Sequence, residues 1–240
     1  MELEVIACSV YDALEAFRGG ASRLEVTIRL DQAGLTPPLE MVHQIIEAVP
    51  LPIRVMLRDR RDFLAGGDEE LATLTRKARE FSALKTGKRK KGGVEGLVTG
   101  HLKNGRLDWA ALEKIISAAP KLRVTVHHAI EATADPLATL RAFRNFPNVD
   151  RALVSGGAGR IEKRIEQLVQ LRDALGRERS LIAGGSLSLE MLRPLRDATG
   201  IRIFHLGRAV RTPEEPTGKV DSMKVRRAVS ILSGPMETHL

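Results

Sequence analysis

The sequence predicts an α/β fold, a single (β/α)8 barrel of the TIM type spanning residues 1–240, and three observations carry that prediction. Short apolar runs alternate with longer amphipathic stretches eight times along the chain, which suits a closed parallel barrel better than an open doubly wound sheet. Polar residues recur just after these runs, where a barrel would place its functional rim. Finally, 240 residues at 43% hydrophobic composition are enough for one large domain with a full core. A Gly-x-Gly-x-x-Gly turn is absent after the first run, which weakens the dinucleotide-binding alternative.

Taken in order, residues 3–7 form the first strand, and residues 9–20 a helix with Val10, Ala13, Leu14 and Phe17 on one face. Residues 23–27 are the second strand, with Glu25 as a charge inside a β-forming run. A helix follows from Pro38 to Val49, closed by Pro50 and Pro52. The third strand covers 53–57, and a helix with an acidic start covers 68–81. A brief fourth strand at 96–98 precedes a helix capped by Asp108, and the fifth strand, 123–126, delivers His127 and His128. Asp135-Pro136 opens the next helix. Residues 150–154 make the sixth strand, which runs into SGGAG, and a helix spans 160–174. The seventh strand (180–183), the AGGS turn, a helix from Ser186 or Ser188 to Ala198, and the eighth strand (201–205) complete the alternation. A Pro-containing loop at 212–219 and a helix at 221–232 close the chain, and the tail from 233 is expected to fray.

Composition narrows the function classes. The net charge is +8, and much of it is local, in KTGKRKK, a glycine-bounded surface loop at 85–93 on the barrel face away from the strand ends. One Trp and one Tyr leave little surface for base stacking, which argues against nucleic acid. No apolar run approaches the roughly 20 residues of a membrane span, and the acidic start MELEVIACSV is unlike a signal peptide, so a cytoplasmic protein is expected. The lone Cys8 permits neither an internal disulfide nor a Cys-x-x-Cys metal site.

The strand ends nominate Glu25, Arg58, His127 and His205 as the catalytic set, with a small anionic ligand or a metal ion as partner. Glu25 reads equally as a general base or as an ion-pair partner of Arg23 or Arg58. Arg58 would serve that pair or bind a substrate anion. Because neighbouring strand residues point to opposite faces, His127 rather than His128 is expected to face the centre. Glu25, His127 and His205 would also make a carboxylate and two imidazoles for a divalent ion. An anion cradle is expected from Gly156, Gly157, Gly184, Gly185, Gly207 and Arg208, with Arg211 adding charge, since glycine loops and helix starts favour anions at this edge. The plainer reading of AGGS is a tight turn.

The stretches SVYDALEAFRGGASRLEV, GLTPP, LRDRRDF, GLVTG, VTVHHAIE, LVSGG, AGGS and FHLG, in this order, resemble the CutC family, named for copper homeostasis. The resemblance covers nearly the whole chain. It implies a (β/α)8 barrel, often a homodimer, with a site at the strands' C-terminal ends and copper as the associated ion, although nothing in the residues requires a cofactor. Glu25, Arg58, Arg60, Asp62, Thr99, His127, Ser155 and His205 match the family's pattern. The chain departs from it at Ile6 and Thr27, where the pattern has cysteines, at His128 for arginine, and at Glu131 for aspartate. Without those cysteines it lacks the soft ligands that tight copper(I) binding would use.

Overall fold

In the computed structural model, which describes residues 1–64, 66–84 and 93–235, eight parallel strands close into one barrel. They are β1 (Glu2–Ala7), β2 (Arg23–Val26), β3 (Pro52–Met56), β4 (Gly93–Thr99), β5 (Arg123–Val126), β6 (Val149–Val154), β7 (Ser180–Ala183) and β8 (Ile203–Leu206). The ring follows chain order, and β8 returns to β1 with Ile203 beside Glu2 and Leu206 beside Val5. The intervening helices are α1 (Val10–Arg18), α2 (Leu39–Ala48), α3 (Asp68–Ala83), α4 (Trp109–Ala118), α5 (Pro136–Ala142), α6 (Ile161–Leu175), α7 (Leu189–Thr199) and α8 (Ser222–Ser233). Among the described residues, no helix is long and apolar enough to cross a membrane.

Local chemistry explains where the helices start. The carboxylates of Asp108, Asp135 and Asp221 and the hydroxyl of Ser9 accept hydrogen bonds from the first-turn amides of their helices, and Pro136 takes a first-turn position where no amide is needed. Gly200, with φ of 66°, ends α7 in the left-handed conformation that glycine adopts without strain. Ser188 precedes α7, yet its hydroxyl does not cap the helix.

The strands divide the core in two. Their outward side chains, such as Leu24, Val55, Val126, Val154 and Phe204, pack under the helices in the main apolar cluster. The alternate residues of the same strands face inward, where Leu153, Ile182 and Ile203 form a small separate apolar cluster. Much of the rest of the interior is charged. Near the strands' N-terminal ends, Arg54 donates to both carboxylate oxygens of Asp150 at 2.8 and 2.7 Å and to Glu95 at 2.9 Å. Arg23 bridges Glu95 and Glu2.

Several expectations change. The fourth strand begins at Gly93, because Glu95 pairs inward with Arg23 and Arg54 and so belongs to the strand despite its charge. The eighth begins at Ile203 rather than 201. The loop expected at 212–219 carries a small hairpin, Arg211–Thr212 against Lys219–Val220, and a second hairpin, Leu102–Lys103 against Arg106–Leu107, follows β4 unforeseen. The basic segment expected at 85–93 lies, up to residue 92, outside the described residues. Of the tail expected to fray, Gly234 and Pro235 instead accept hydrogen bonds from the buried Arg196, and residues 236–240 lie outside the described ones.

Candidate functional site at the barrel mouth

A cavity of about 550 Å³ opens at the C-terminal ends of the strands, and Glu25, Arg58, His127 and His205 all line it. Gly185, Gly207 and Arg208 line it too, whereas Gly156, Gly157 and Gly184 do not. All four candidate side chains thus line one cavity, together with three of the six residues expected for the cradle.

On one wall, β1, β2 and β8 bring Glu4, Glu25 and His205 together. His205 Nδ1 lies 2.9 Å from Glu4 Oε1 and 4.0 Å from Glu25 Oε2. Burial by itself would raise Glu4, but the His205 hydrogen bond and charge, with Arg23 and Arg151, outweigh it and hold Glu4 below its usual range. Burial would likewise lower His205, and the charges of Glu25 and Glu4 with the Glu4 hydrogen bond raise it instead. Glu4 and His205 thus form a buried ion pair in which the imidazolium donates. Glu25 is left over. Its Oε2 is buried without a hydrogen bond, and burial, reinforced by the Glu4 charge, pushes it up to about 7 against the pull of His205 and Arg58. It pairs with neither Arg23 nor Arg58. Glu4 went unnoticed because it sits in mid-strand. Its inward parity, two residues before the wall residue Ile6, was the available signal.

The facing wall comes from β5. His127 is buried, and its Nδ1 accepts the Ala129 amide at 3.3 Å. Burial, with the charges of Arg58, His101 and His128, lowers it well below its usual value, so the ring is neutral. A neutral imidazole that accepts at Nδ1 carries its proton on Nε2. That Nε2 is buried with no partner, and Phe63 packs against the ring at 5.1 Å between centroids. His128 also lines the cavity, contrary to the alternation argument. The strand ends at Val126, and His128 already belongs to a 3-10 turn.

Three arginines hold the rim in shape. Arg58, expected to meet an anion or Glu25, instead donates from Nε and Nη2 to the carbonyls of Gln32, Ala33 and Gly34 while lying over the Phe63 ring. Arg164 clamps the carbonyls of Ser155, Gly184 and Gly185 in the same way. Arg211, expected to enrich the anion cradle, is buried against Asp12 and the carbonyls of Ile6 and Gly218. Thr27, Thr99 and Ser155 are bonding residues of turns and strand ends, to Leu35 O, Leu57 O and Glu131 respectively. Arg60 and Asp62 pair on the surface.

The loop after β6 is a finished anion cradle that the chain itself fills. Glu131 accepts from the amides of Ser155, Gly156 and Gly157 at 2.8, 2.9 and 3.2 Å and from the Ser155 hydroxyl at 2.8 Å. His128 Nδ1 bonds its other face at 3.0 Å. The expected role of Gly156 and Gly157 in holding an external anion is therefore taken by this carboxylate. Gly184 donates its amide to Val154 O in the strand ladder, and a Cβ there would lie 2.6 Å from Leu153, so its glycine serves packing. What remains open is the lip between the last two strands. Gly185 and Ser186 have φ of 75° and 53°, and Arg208 Nη2 reaches across to Ser186 Oγ at 2.9 Å.

Copper(I) does not fit these residues. It prefers thiolates, and burial pushes the Cys8 thiol up to about 11 despite Arg211 beside it. Ile6, at one of the positions where the family resemblance implies a cysteine, puts an aliphatic side chain in the cavity wall, and Thr27, at the other, bonds Leu35 O. Glu4, Glu25 and His205 are close enough to surround a cation, but Glu4 and His205 already neutralise each other. We read them as an ion pair beside a carboxylic acid. His127 is on the opposite wall and does not join them.

The comparisons agree on family and fold. The sequence model of the CutC family matches residues 1–210. A family protein CutC of Xanthomonas campestris pv. campestris (strain 8004) is 32% identical over 206 residues, 85% of this chain and 82% of that protein. Another, from Salmonella enteritidis PT4 (strain P125109), is 31% identical over 212 residues, 88% of this chain and 81% of that one. Among solved structures, one described as the copper homeostasis protein CutC from Streptococcus agalactiae matches with a TM-score of 0.76 at 20% identity, over 86% of this chain and 98% of that one. Phosphoribosyl anthranilate isomerase from Thermotoga maritima matches with a TM-score of 0.63 at 14% identity, over 98% of this chain and 100% of that one. At such identities these structures show the shared barrel alone.

Proposed function

The chain belongs to the CutC family, and from that premise we propose that its barrel mouth is an acid/base site for a small organic molecule carrying an oxyanion, rather than a copper(I) site. The observation that carries the reading is Glu25, a carboxyl without a hydrogen-bonded partner at Oε2 in the wall of a roomy cavity, with its pKa moved to about 7. A group that is half-protonated near neutral pH both takes and returns a proton with little driving force lost. The Gly185–Ser186 turn and Arg208 supply a cationic lip for the anionic end of the ligand.

Two measurements test this. Arg208→Ala should weaken binding of inorganic phosphate and of a phosphosugar by about one to two decades in titration calorimetry, the loss of one charge-assisted hydrogen bond. Arg208 is exposed, so the fold should survive. If wild type binds neither compound at millimolar concentration, the anion lip is wrong. The second concerns the metal: in competition with a copper(I) chelator such as bicinchoninate, the chain should withhold no copper. Stoichiometric retention, especially by Cys8→Ser, would overturn the choice of an organic ligand over copper(I).

A further inference from the structure

The two walls of the cavity are chemically unlike, and the difference specifies the ligand more closely. Glu25 stands on β2 and His127 directly follows β5, the two strands being separated around the ring by β3 and β4, so they meet a ligand from across the mouth. Glu25 offers an oxygen that moves a proton. His127 offers a fixed N–H: the Ala129 amide holds Nδ1 as an acceptor, and Nε2 is a buried donor that nothing in the described residues satisfies. A buried, unsatisfied donor costs stability, and an incoming oxygen would recover it. Since the ring is a neutral donor rather than an imidazolium, it suits the oxygen of a polarised carbonyl or the enolate formed from it.

We infer that the ligand is a phosphorylated carbonyl compound with an acidic C–H beside the carbonyl, and that the site enolises it between Glu25 and His127. This rests on the acid/base reading above and goes beyond it by naming the substrate class and reaction. The Glu25 carboxylate removes the proton on the carbon next to the carbonyl. The C–H electron pair becomes a C=C bond, and the carbonyl π pair moves onto oxygen, where the His127 Nε2–H stabilises it. Returning the proton from Glu25 to the same carbon gives exchange. Where that carbon carries a hydroxyl, its proton passes to the enolate oxygen, the hydroxyl oxygen becomes the new carbonyl, and the proton from Glu25 goes to the former carbonyl carbon, giving the isomeric carbonyl compound. The step is redox-neutral and needs no co-reactant.

The test is proton exchange in D2O, followed by ¹H NMR, with dihydroxyacetone phosphate and ribose 5-phosphate as probes and glycerol 1-phosphate as the carbonyl-free control for binding. Wild type should exchange the C–H next to the carbonyl of at least one probe at least 100-fold faster than buffer. His127→Leu should lose roughly 10²–10³ of that rate, the usual effect of removing one oxyanion donor, while glycerol 1-phosphate affinity changes less than threefold. His127→Gln, which keeps an N–H, should restore part of it. In ¹⁵N NMR at neutral pH the His127 ring should be the neutral Nε2–H tautomer. Binding of all three compounds without exchange would overturn the carbonyl inference and leave the anion site standing. Binding of none would overturn the site itself. An unimpaired His127→Leu, or an Nδ1–H tautomer, would overturn the role given to His127.

Discussion

Glu25→Gln should raise the stability of the barrel at pH 8 and leave it nearly unchanged at pH 4. In the folded chain Glu25 keeps its proton until about pH 7, whereas an unperturbed glutamate releases it near 4.5. Between those values the folded state binds more protons than the unfolded state, so stability falls as pH rises through this window and stays reduced above it. At 1.36 kcal/mol per pKa unit the full penalty is on the order of 3 kcal/mol. The Glu25 charge also supports the raised pKa of His205, whose contribution is present at low pH and lost as pH rises through its folded pKa. Removing Glu25 gives up that support, so the net gain above neutrality should be about 1–3 kcal/mol, or a few degrees in Tm for a chain of this size. Thermal melts of both proteins from pH 4 to 8 decide it. A lower Tm for the variant at pH 8 would mean that Glu25 is paired in the folded protein. A gain would show a carboxyl kept at the expense of stability, as functional groups often are.

Arg54→Ala should cost about 3–5 kcal/mol, the usual effect of breaking a buried ion pair by removing one partner. The Arg54 side chain is 1% exposed and carries the bidentate bond to Asp150 together with the bond to Glu95, so its loss leaves Asp150 with only the more distant Arg151, at 3.9 Å, while Glu95 keeps Arg23. Desolvation makes the pair itself a weak net stabiliser. The double variant Arg54→Met/Asp150→Leu should therefore recover much of the loss. Urea unfolding of the two variants measures both effects, and a single variant within 1 kcal/mol of wild type would show that water reaches the network.

The strands, helices and mouth were legible in the sequence because barrel positions obey short rules. Apolar runs mark strands, and the residue that follows one faces the mouth, which places His127 and Arg58 directly. Those rules fail where a side chain's partner is distant in sequence. Glu95 falls outside the fourth strand expected at 96–98 because its partners, Arg23 and Arg54, lie on other strands. Arg58 looked like a ligand contact because nothing in the sequence shows that three carbonyls of the β2–α2 loop turn back onto it. His128 was assigned outward because the alternation was carried beyond Val126, where the strand ends and a 3-10 turn follows.

The Glu131 cradle has a consequence for ligand choice. Its carboxylate is tied to the donors by the backbone between residues 131 and 155, so it competes with any free anion as an intramolecular group would, at a high effective concentration. Phosphate diffusing into the mouth would meet donors that Glu131 already occupies. The loop after β6 therefore works as a latch joining two barrel loops, and under the proposed function an incoming anion would be left to the lip at Gly185 and Arg208, where Arg208 Nη2 already leans on Ser186 Oγ.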